Sequence, residues 1–181
     1  LMSVVKRQDL LLKSLLSFYK DEKNMKTMVD IVTNHSKISL RAIDYLCTNY
    51  SKKHNVIYYI NKNPFNLYLM YRGQLKAYSK VQFDPFRRHE RININCSIVE
   101  GKKLETTIAQ LNFFKWAIEN KILDYIKEHL DEIEKDQAKR NSTAKKKDKK
   151  KAKTRKKRQE LSCSATKSIR KEDVQIVVKF D

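Results

Sequence analysis

Apolar residues recur at helical spacing along the first third of the chain. Between Val4 and Lys20 they occupy positions 5, 12, 15, 16 and 19, and residues 24–33 repeat the pattern. Ser39 is placed to cap a third helix, because a serine hydroxyl accepts hydrogen bonds from the amides of a first helical turn. The pattern therefore predicts three amphipathic helices before residue 51.

Three segments have the composition of β-strands. Residues 55–60, NVIYYI, predict a short buried strand, because β-branched and aromatic residues favour pleated structure. Residues 91–99, RININCSIV, alternate strictly, so Ile92, Ile94, Cys96 and Ile98 are expected on one face. Residues 174–180, VQIVVKF, predict a C-terminal strand. A lone strand is unstable, so this one must join a sheet edge of its own body or of a neighbour. Its apolar face consists of Val174, Ile176 and Val178.

Two longer helices are predicted in the middle of the chain. One begins at Asn66 and ends near residue 80, and the other is capped by Thr106 or Thr107 and runs to about residue 133. Phe113 and Trp116 lie off the core stripe of the second helix. They form either a protein-interface patch or a second buried face. We assign them to a protein interface.

The predicted fold class is α+β, a mostly helical globular body with a small sheet. A basic extended arm and a C-terminal strand follow the body. The corresponding domains are a globular α+β domain at 1–136, a Lys/Arg-rich arm at 137–160, and a C-terminal segment at 161–181.

Most of the net positive charge of the chain is concentrated in the arm. Residues 139–158, KRNSTAKKKDKKKAKTRKKR, hold thirteen Lys or Arg and one acid, giving 13 − 1 = +12 of the +19 of the whole chain. Such a segment cannot bury apolar surface, so it has no core of its own. It is expected to bind nucleic-acid phosphates, to act as a nuclear localisation signal, or to lie along acidic protein or membrane headgroups. The residues expected to bind the anionic partner are Lys145, Lys146, Lys147, Lys149, Lys150, Lys151, Lys153, Arg155, Lys156, Lys157 and Arg158.

A second basic cluster follows the turn at Asp84-Pro85. Arg87, Arg88 and Arg91 place three guanidinium groups beside that turn, and guanidinium forks suit bidentate contacts with phosphate or carboxylate. We predict that they bind the same anionic partner. The alternative is that they pair with acids of the chain itself or of another subunit. The nearby aromatic residues are expected in the core rather than stacked on bases.

Catalytic and metal-site patterns are missing from the sequence. The chain has three cysteines without a CxxC pair and four histidines without ligand spacing, so we expect reduced thiols and no structural zinc. With two glycines, a phosphate-cradling Gly-rich loop is not expected, and no nucleophile motif is present. No apolar run approaches the ~20 residues of a membrane span. We predict that the protein is not an enzyme and has no cofactor or small-molecule substrate.

Two runs of sequence carry a family resemblance. LKAYSKVQFDPFRRHERI, at residues 75–92, and QLNFFKWAIENKILDYI, at residues 110–126, resemble a poorly characterised protein family of large nucleocytoplasmic DNA viruses. The resemblance is strongest over residues 66–130 and does not include the tail. It implies a viral setting and assigns no catalytic residue.

Two functions of different classes fit these observations. The first is a virion structural protein, a minor capsid or internal scaffold component tethered by the basic arm to other capsid or virion proteins. The terminal strand, the off-stripe aromatics and the missing active site favour it, and it is the function that we predict from the sequence, with the second as the alternative. The second is a viral nucleic-acid-binding protein, a transcription or packaging factor that binds DNA or RNA through the same arm. The expected location is the virion, and the host cytoplasm or nucleus during assembly.

Overall fold

A computed structural model describes the backbone of residues 2–99 and 103–151 and the side chains of residues 8–99 and 103–143. The chain divides into two units, Leu1–Arg140 and Asn141–Asp181. The basic residues from 153 to 158 and the predicted strand at 174–180 lie outside the described residues. The elements of the first unit carry the fold.

Four helical segments open the chain, and local caps explain where two of them begin. Asp21 accepts a hydrogen bond from the Lys23 amide, and Ser39 accepts one from the Ala42 amide at 3.1 Å, as predicted for Ser39. Between the third and fourth helices the backbone forms one π-helical turn, Leu46–Tyr50. The helices are α1 (Met2–Phe18), α2 (Glu22–Val32), α3 (Leu40–Tyr45) and α4 (Ser51–His54).

An antiparallel hairpin follows, formed by β1 (Ile57–Ile60) and β2 (Asn63–Asn66). The prediction that the first strand is buried is wrong, because the Ile57 and Tyr59 side chains are 48% and 72% exposed. One face of the hairpin packs through Tyr58 and Phe65, whose ring centroids are 5.1 Å apart. The other face meets solvent, so β1 is half-buried.

The next segment holds α5 (Leu67–Gln82) and a second antiparallel hairpin, β3 (Ile92–Asn95) with β4 (Lys103–Thr106). Asn66 caps α5 by accepting a hydrogen bond from the Leu69 amide at 3.0 Å, so the helix begins where the sequence predicts. The predicted strand at residues 91–99 is shorter than expected. Pairing with β4 ends at Asn95, and Ile98 lies beyond the strand at 38% exposure.

The last two helices are α6 (Ile108–Glu119), capped by Thr107, and α7 (Ile122–Lys151). The single helix predicted over this region is wrong, because Lys121 adopts a left-handed φ of 53° and breaks it. The expected extended arm is also wrong as far as Lys151, since the backbone is helical to that residue. Residues 122–151 contain no Gly or Pro, and Lys and Ala are strong helix formers.

The core is arranged around α6, which contacts α1, α2 and α5. Leu111, Phe113, Phe114 and Ala117 are fully buried on several sides of this helix. The Tyr19 hydroxyl, in the turn after α1, donates to the Leu111 carbonyl at 2.7 Å, and burial raises the pKa of that hydroxyl. These observations confirm the predicted α+β class with a mostly helical body and small sheets.

Candidate nucleic-acid interface

The first unit has a basic cleft between α4 and α7, which we call the α4–α7 cleft. Its volume is about 340 Å³. Three of the lining side chains are cationic and two are neutral and polar, so the cleft offers hydrogen-bond donors and positive charge to an anion. The lining residues are Tyr45, Asn49, Lys52, Lys53 and Arg140.

The π-helical turn shapes one wall of this cleft. A π turn shifts the backbone hydrogen bonds by one residue, and such turns are frequent at functional sites. Thr48 and Ser51 donate their hydroxyls to the carbonyls of Asp44 and Cys47, at 2.7 and 2.9 Å. These side-chain bonds satisfy carbonyl groups beside the irregular turn. The turn thereby holds Asn49 within the cleft wall.

Asp136 of α7 joins the two walls. Its carboxylate accepts a hydrogen bond from the Tyr45 hydroxyl at 2.8 Å and pairs with the Lys53 ammonium group. These hydrogen bonds, that of Lys53 first, hold the pKa of Asp136 below its ordinary value. His54 Nε2 lies 3.9 Å from the same carboxylate. Because Asp136 offsets one positive charge, the three cations leave the cleft with about two.

Lys52 lies in a different environment from Lys53. Its ammonium nitrogen is 5.9 Å from the centroid of the Tyr68 ring on α5. No carboxylate forms an ion pair with Lys52 within residues 8–99 and 103–143. A lysine over an aromatic face keeps its charge and can turn to a phosphate at small cost. Lys52 is therefore the lining cation best placed to meet an incoming anion.

Sequence reasoning missed this cleft. The run Ser51-Lys-Lys-His54 showed basic residues near a predicted helix end, but nothing in the sequence showed that α7 lies opposite. The hydrogen bond between Tyr45 and Asp136 spans 91 positions, and that separation has no local signal.

The three arginines after Asp84-Pro85 are paired within the chain. Arg88 makes two hydrogen bonds, 2.8 and 2.9 Å long, to the carboxylate of Asp84, which is 3% exposed. Arg87 and Arg91 both reach Oε1 of Glu105, at 3.4 and 3.1 Å. These contacts favour the alternative reading, internal ion pairs, although an exposed guanidinium can still contact a phosphate with its remaining donors.

The prediction that Phe113 and Trp116 form a protein interface is wrong. Phe113 is fully buried and Trp116 is 6% exposed. Both rings pack on Phe83, with ring centroids 5.2 and 5.3 Å from it. The single-stripe prediction failed because α6 is surrounded by other helices and buries more than one face. Tyr71 is buried as well, as expected for the aromatics near the arginine cluster.

The basic segment begins as a continuation of α7. Lys145, Lys146, Lys147, Lys149, Lys150 and Lys151 lie in helical backbone. Beyond them, Lys153, Arg155, Lys156, Lys157 and Arg158 lie outside the described residues, as do Val174, Ile176 and Val178. The helix therefore presents at least half of the predicted phosphate-binding lysines on a regular scaffold.

Other kinds of site find no support in the described ranges. Within residues 8–99 and 103–143 no group of three His, Cys, Asp or Glu side chains is placed to hold a metal ion. Cys47 is buried, and burial raises the pKa of its thiol, which opposes a nucleophilic role. Of the helices that the structure describes, none is both long and apolar enough to cross a membrane.

Comparison with known proteins places the chain in a family. The model of a family of unknown function, DUF7197, matches residues 3–181. The chain belongs to DUF7197. It is similar to uncharacterized protein L507 of Acanthamoeba polyphaga mimivirus, with 40% identity over 137 residues.

The matched region is 72% of this chain and 53% of the mimivirus protein, so the chain spans about half the length of that relative. No solved structure matches the chain. This relative comes from a giant virus, which agrees with the viral family that the sequence resembles.

Proposed function

We propose that this DUF7197 protein binds nucleic acid of a large DNA virus through phosphate contacts of its basic segment, residues 139–158. The observation that carries the proposal is the helical backbone through Lys151, because it places the lysines on a regular scaffold. Eight of the thirteen residues from 139 to 151 are Lys or Arg. A helix can enter the major groove or follow a backbone with its cations at fixed spacing, whereas a free polybasic chain binds phosphates without a fixed geometry.

The charge densities of the two partners match. Thirteen helical residues span about 20 Å at 1.5 Å per residue, and duplex DNA carries about one negative charge per 1.7 Å of axis. About twelve phosphates therefore lie within the length of the described basic helix, which exceeds its eight cations. Each cation can find a phosphate without the protein bending the nucleic acid.

The test is a salt titration of binding to a fluorescent oligonucleotide. If roughly 6–10 phosphates are neutralised, affinity should fall by about 10³–10⁵ between about 50 and 200 mM salt. Changing Lys145, Lys146, Lys147, Lys149, Lys150 and Lys151 to Gln should flatten this dependence, and Gln retains a helix propensity close to that of Lys. A flat salt response of the unmodified protein would contradict the proposal.

A matched control removes the same charge from elsewhere. Six exposed lysines of the body are changed to Gln, namely Lys13, Lys20, Lys23, Lys26, Lys37 and Lys76. If net charge alone drove binding, both sets of substitutions would weaken it equally. If the basic helix binds the phosphates, the control retains most of the affinity and of the salt slope.

A virion structural component is the second candidate. Beyond the viral relative, the observation that favours it is exposed apolar surface on the first hairpin and the start of α5, where Ile57, Tyr59 and Leu69 are 48%, 72% and 64% exposed. Such residues are typical of contacts with another protein. Mass spectrometry of purified virions tests this role, and absence of the protein from the particle would rule it out.

A further inference from the structure

Of the five residues that line the α4–α7 cleft, only Arg140 belongs to the basic segment, so the proposed function leaves the rest of the cleft and the nearby Tyr68 without a role. Lys52 lines the cleft, and its ammonium group lies 5.9 Å from the Tyr68 ring centroid. One cation thus connects an anion-binding cleft to an aromatic face at its border. Positive charge beside an aromatic ring is the arrangement that proteins use to bind single-stranded nucleic acid.

We infer that this surface binds single-stranded nucleic acid, with a backbone phosphate in the α4–α7 cleft and an unpaired base stacked on Tyr68. The inference rests on the proposed function and names the form of nucleic acid that the protein prefers. In the free protein Lys52 occupies a face of Tyr68. In the complex the base takes that place and Lys52 turns to the phosphate.

The exchange is favourable for two reasons. Stacking of a base on an aromatic ring is stronger than a solvent-exposed contact between an ammonium group and a ring. Lys52 gains a charge-assisted contact when it meets a phosphate, and no ion pair within residues 8–99 and 103–143 has to break for it to move.

The remaining residues of the cleft fit a phosphate diester. Lys53 and Arg140 add positive charge, and Asn49 and Tyr45 are neutral groups that orient without adding charge. Asp136 offsets part of the charge, since it pairs with Lys53. The cleft therefore carries about two positive charges, enough to neutralise one or two diester phosphates of a strand.

A duplex does not fit this arrangement. Its bases are stacked on one another and present only their edges in the grooves, so no base face is available to Tyr68. A single strand exposes base faces, and stacking on them tolerates any sequence. The surface should therefore discriminate by strandedness rather than by sequence.

Fluorescence anisotropy of the full chain tests the inference with three probes. They are a 5′-labelled single DNA strand of mixed sequence, the same strand as RNA, and a blunt-ended duplex without a loop. The unmodified protein should bind both single strands more tightly than the duplex. Tyr68→Leu should weaken single-strand binding about 5- to 100-fold and leave duplex binding unchanged. Tyr68→Phe, which keeps the ring, should bind as the unmodified protein does.

Two further variants separate stacking from other causes. Tyr59→Leu removes a tyrosine that is 72% exposed on the first hairpin and lines no part of the cleft, so it should bind normally. Lys52→Gln should lower the salt slope for single strands by about 0.7, the value for one phosphate contact. Emission from Trp116 reports whether each variant keeps its folded core.

The outcomes distinguish this inference from the proposed function. Binding of single strands and duplex with equal affinity, unaffected by Tyr68→Leu, overturns the inference and leaves the proposed function standing. Absence of binding to all three probes at low salt overturns both. An equal loss on DNA and RNA supports stacking on the base alone, and a loss confined to one of them supports the inference with that strand as the ligand.

Discussion

At the scale of single residues, Lys62 has the backbone conformation with the clearest consequence. Asn61 and Lys62 form the two-residue loop of the first hairpin with φ of 49° and 69°. Positive φ at both positions is the requirement of a type I′ turn, which favours Asn-Gly because a Cβ is strained there. Lys62→Gly should stabilise the protein by about 0.5–1 kcal/mol, the strain relief exceeding the added freedom of the unfolded chain.

Urea unfolding measures this change, with Lys62→Ala as the control. Alanine retains the Cβ and the strain, so its unfolding midpoint should stay near that of the unmodified protein. If both variants shift the midpoint equally, the effect comes from losing the lysine side chain and the strain argument is wrong.

Two neighbouring arginines should differ in their effect on stability. Arg88 is the bidentate partner of the buried Asp84 carboxylate, and its hydrogen bonds with Asp84 raise the pKa of the guanidinium. Arg88→Gln leaves that carboxylate short of donors and should cost about 1–3 kcal/mol. Arg87 pairs with Glu105 at the surface, so Arg87→Gln should cost at most about 1 kcal/mol.

Chemical denaturation of the two variants under the same conditions decides between these values. The sequence-based interpretation gave all three arginines one shared binding role and therefore expected no loss of stability from either change. An unchanged midpoint for Arg88→Gln would support that interpretation against the structural one.

At the scale of elements, Asp136 attaches the α3–α4 segment to α7. Its pKa is lowered in the folded state from an ordinary value of 3.8, because Lys53 and Tyr45 donate to the ionised form. A depressed carboxyl pKa contributes stability above the unfolded pKa, and this contribution disappears as the pH falls through the lower folded value. Asp136→Asn should therefore destabilise the protein by about 0.5–1.5 kcal/mol near neutral pH and have little effect below the folded pKa.

Urea midpoints at about pH 7, 5 and 3 test this sign, because only the first two lie above the ordinary carboxyl pKa. Asp131→Asn is the control, because Asp131 is exposed on the same helix and its substitution removes an equal charge. A deficit of Asp136→Asn that persists unchanged at the lowest pH would show that the side chain acts through packing and not through its charge.

The elements also show which parts of the fold a sequence can reveal. Amphipathic helices, the cap at Ser39, the helix start at Asn66 and a cap at Thr106 or Thr107 were predicted, because a cap and a stripe are local signals. The strand β2 was missed because it contains Pro64, and β4 was missed because Leu104 is its one strongly apolar residue. The helix break at Lys121 was missed because lysine, unlike glycine or asparagine, does not indicate a left-handed backbone conformation.

The candidate site follows the same division. The basic segment was found because composition alone identifies it. The α4–α7 cleft was not, because it depends on contacts such as that of Lys53 with Asp136, which are distant in sequence. The burial of Trp116 could not be predicted from the apolar pattern of α6 alone, because it depends on the other helices that surround α6.

At the scale of the whole molecule, the two units should differ in what they contribute. In the described ranges all fully buried side chains precede Arg140, the last being Ile133. A chain ending at Arg140 should therefore keep the stability of the full protein. Its melting temperature should lie within about 2 °C of that of the full chain, which is less than the shift that a change of about 1 kcal/mol typically produces. Emission from Trp116, the one tryptophan of the chain, should be blue-shifted in the full chain and in the truncated chain, because the ring is 6% exposed.

Duplex binding should not survive the same truncation, whereas the α4–α7 cleft and Tyr68 are retained and should still bind single strands weakly. Removing residues 141–181 removes eleven of the thirteen cations of the basic segment, so the steep salt dependence should disappear. A chain ending at Arg158 is the matched control, because it keeps all thirteen and lacks only the C-terminal segment. If this longer chain also fails to bind, residues 159–181 hold a necessary contact. If the shorter chain loses stability, the second unit belongs to the fold and the division of roles between the units is wrong.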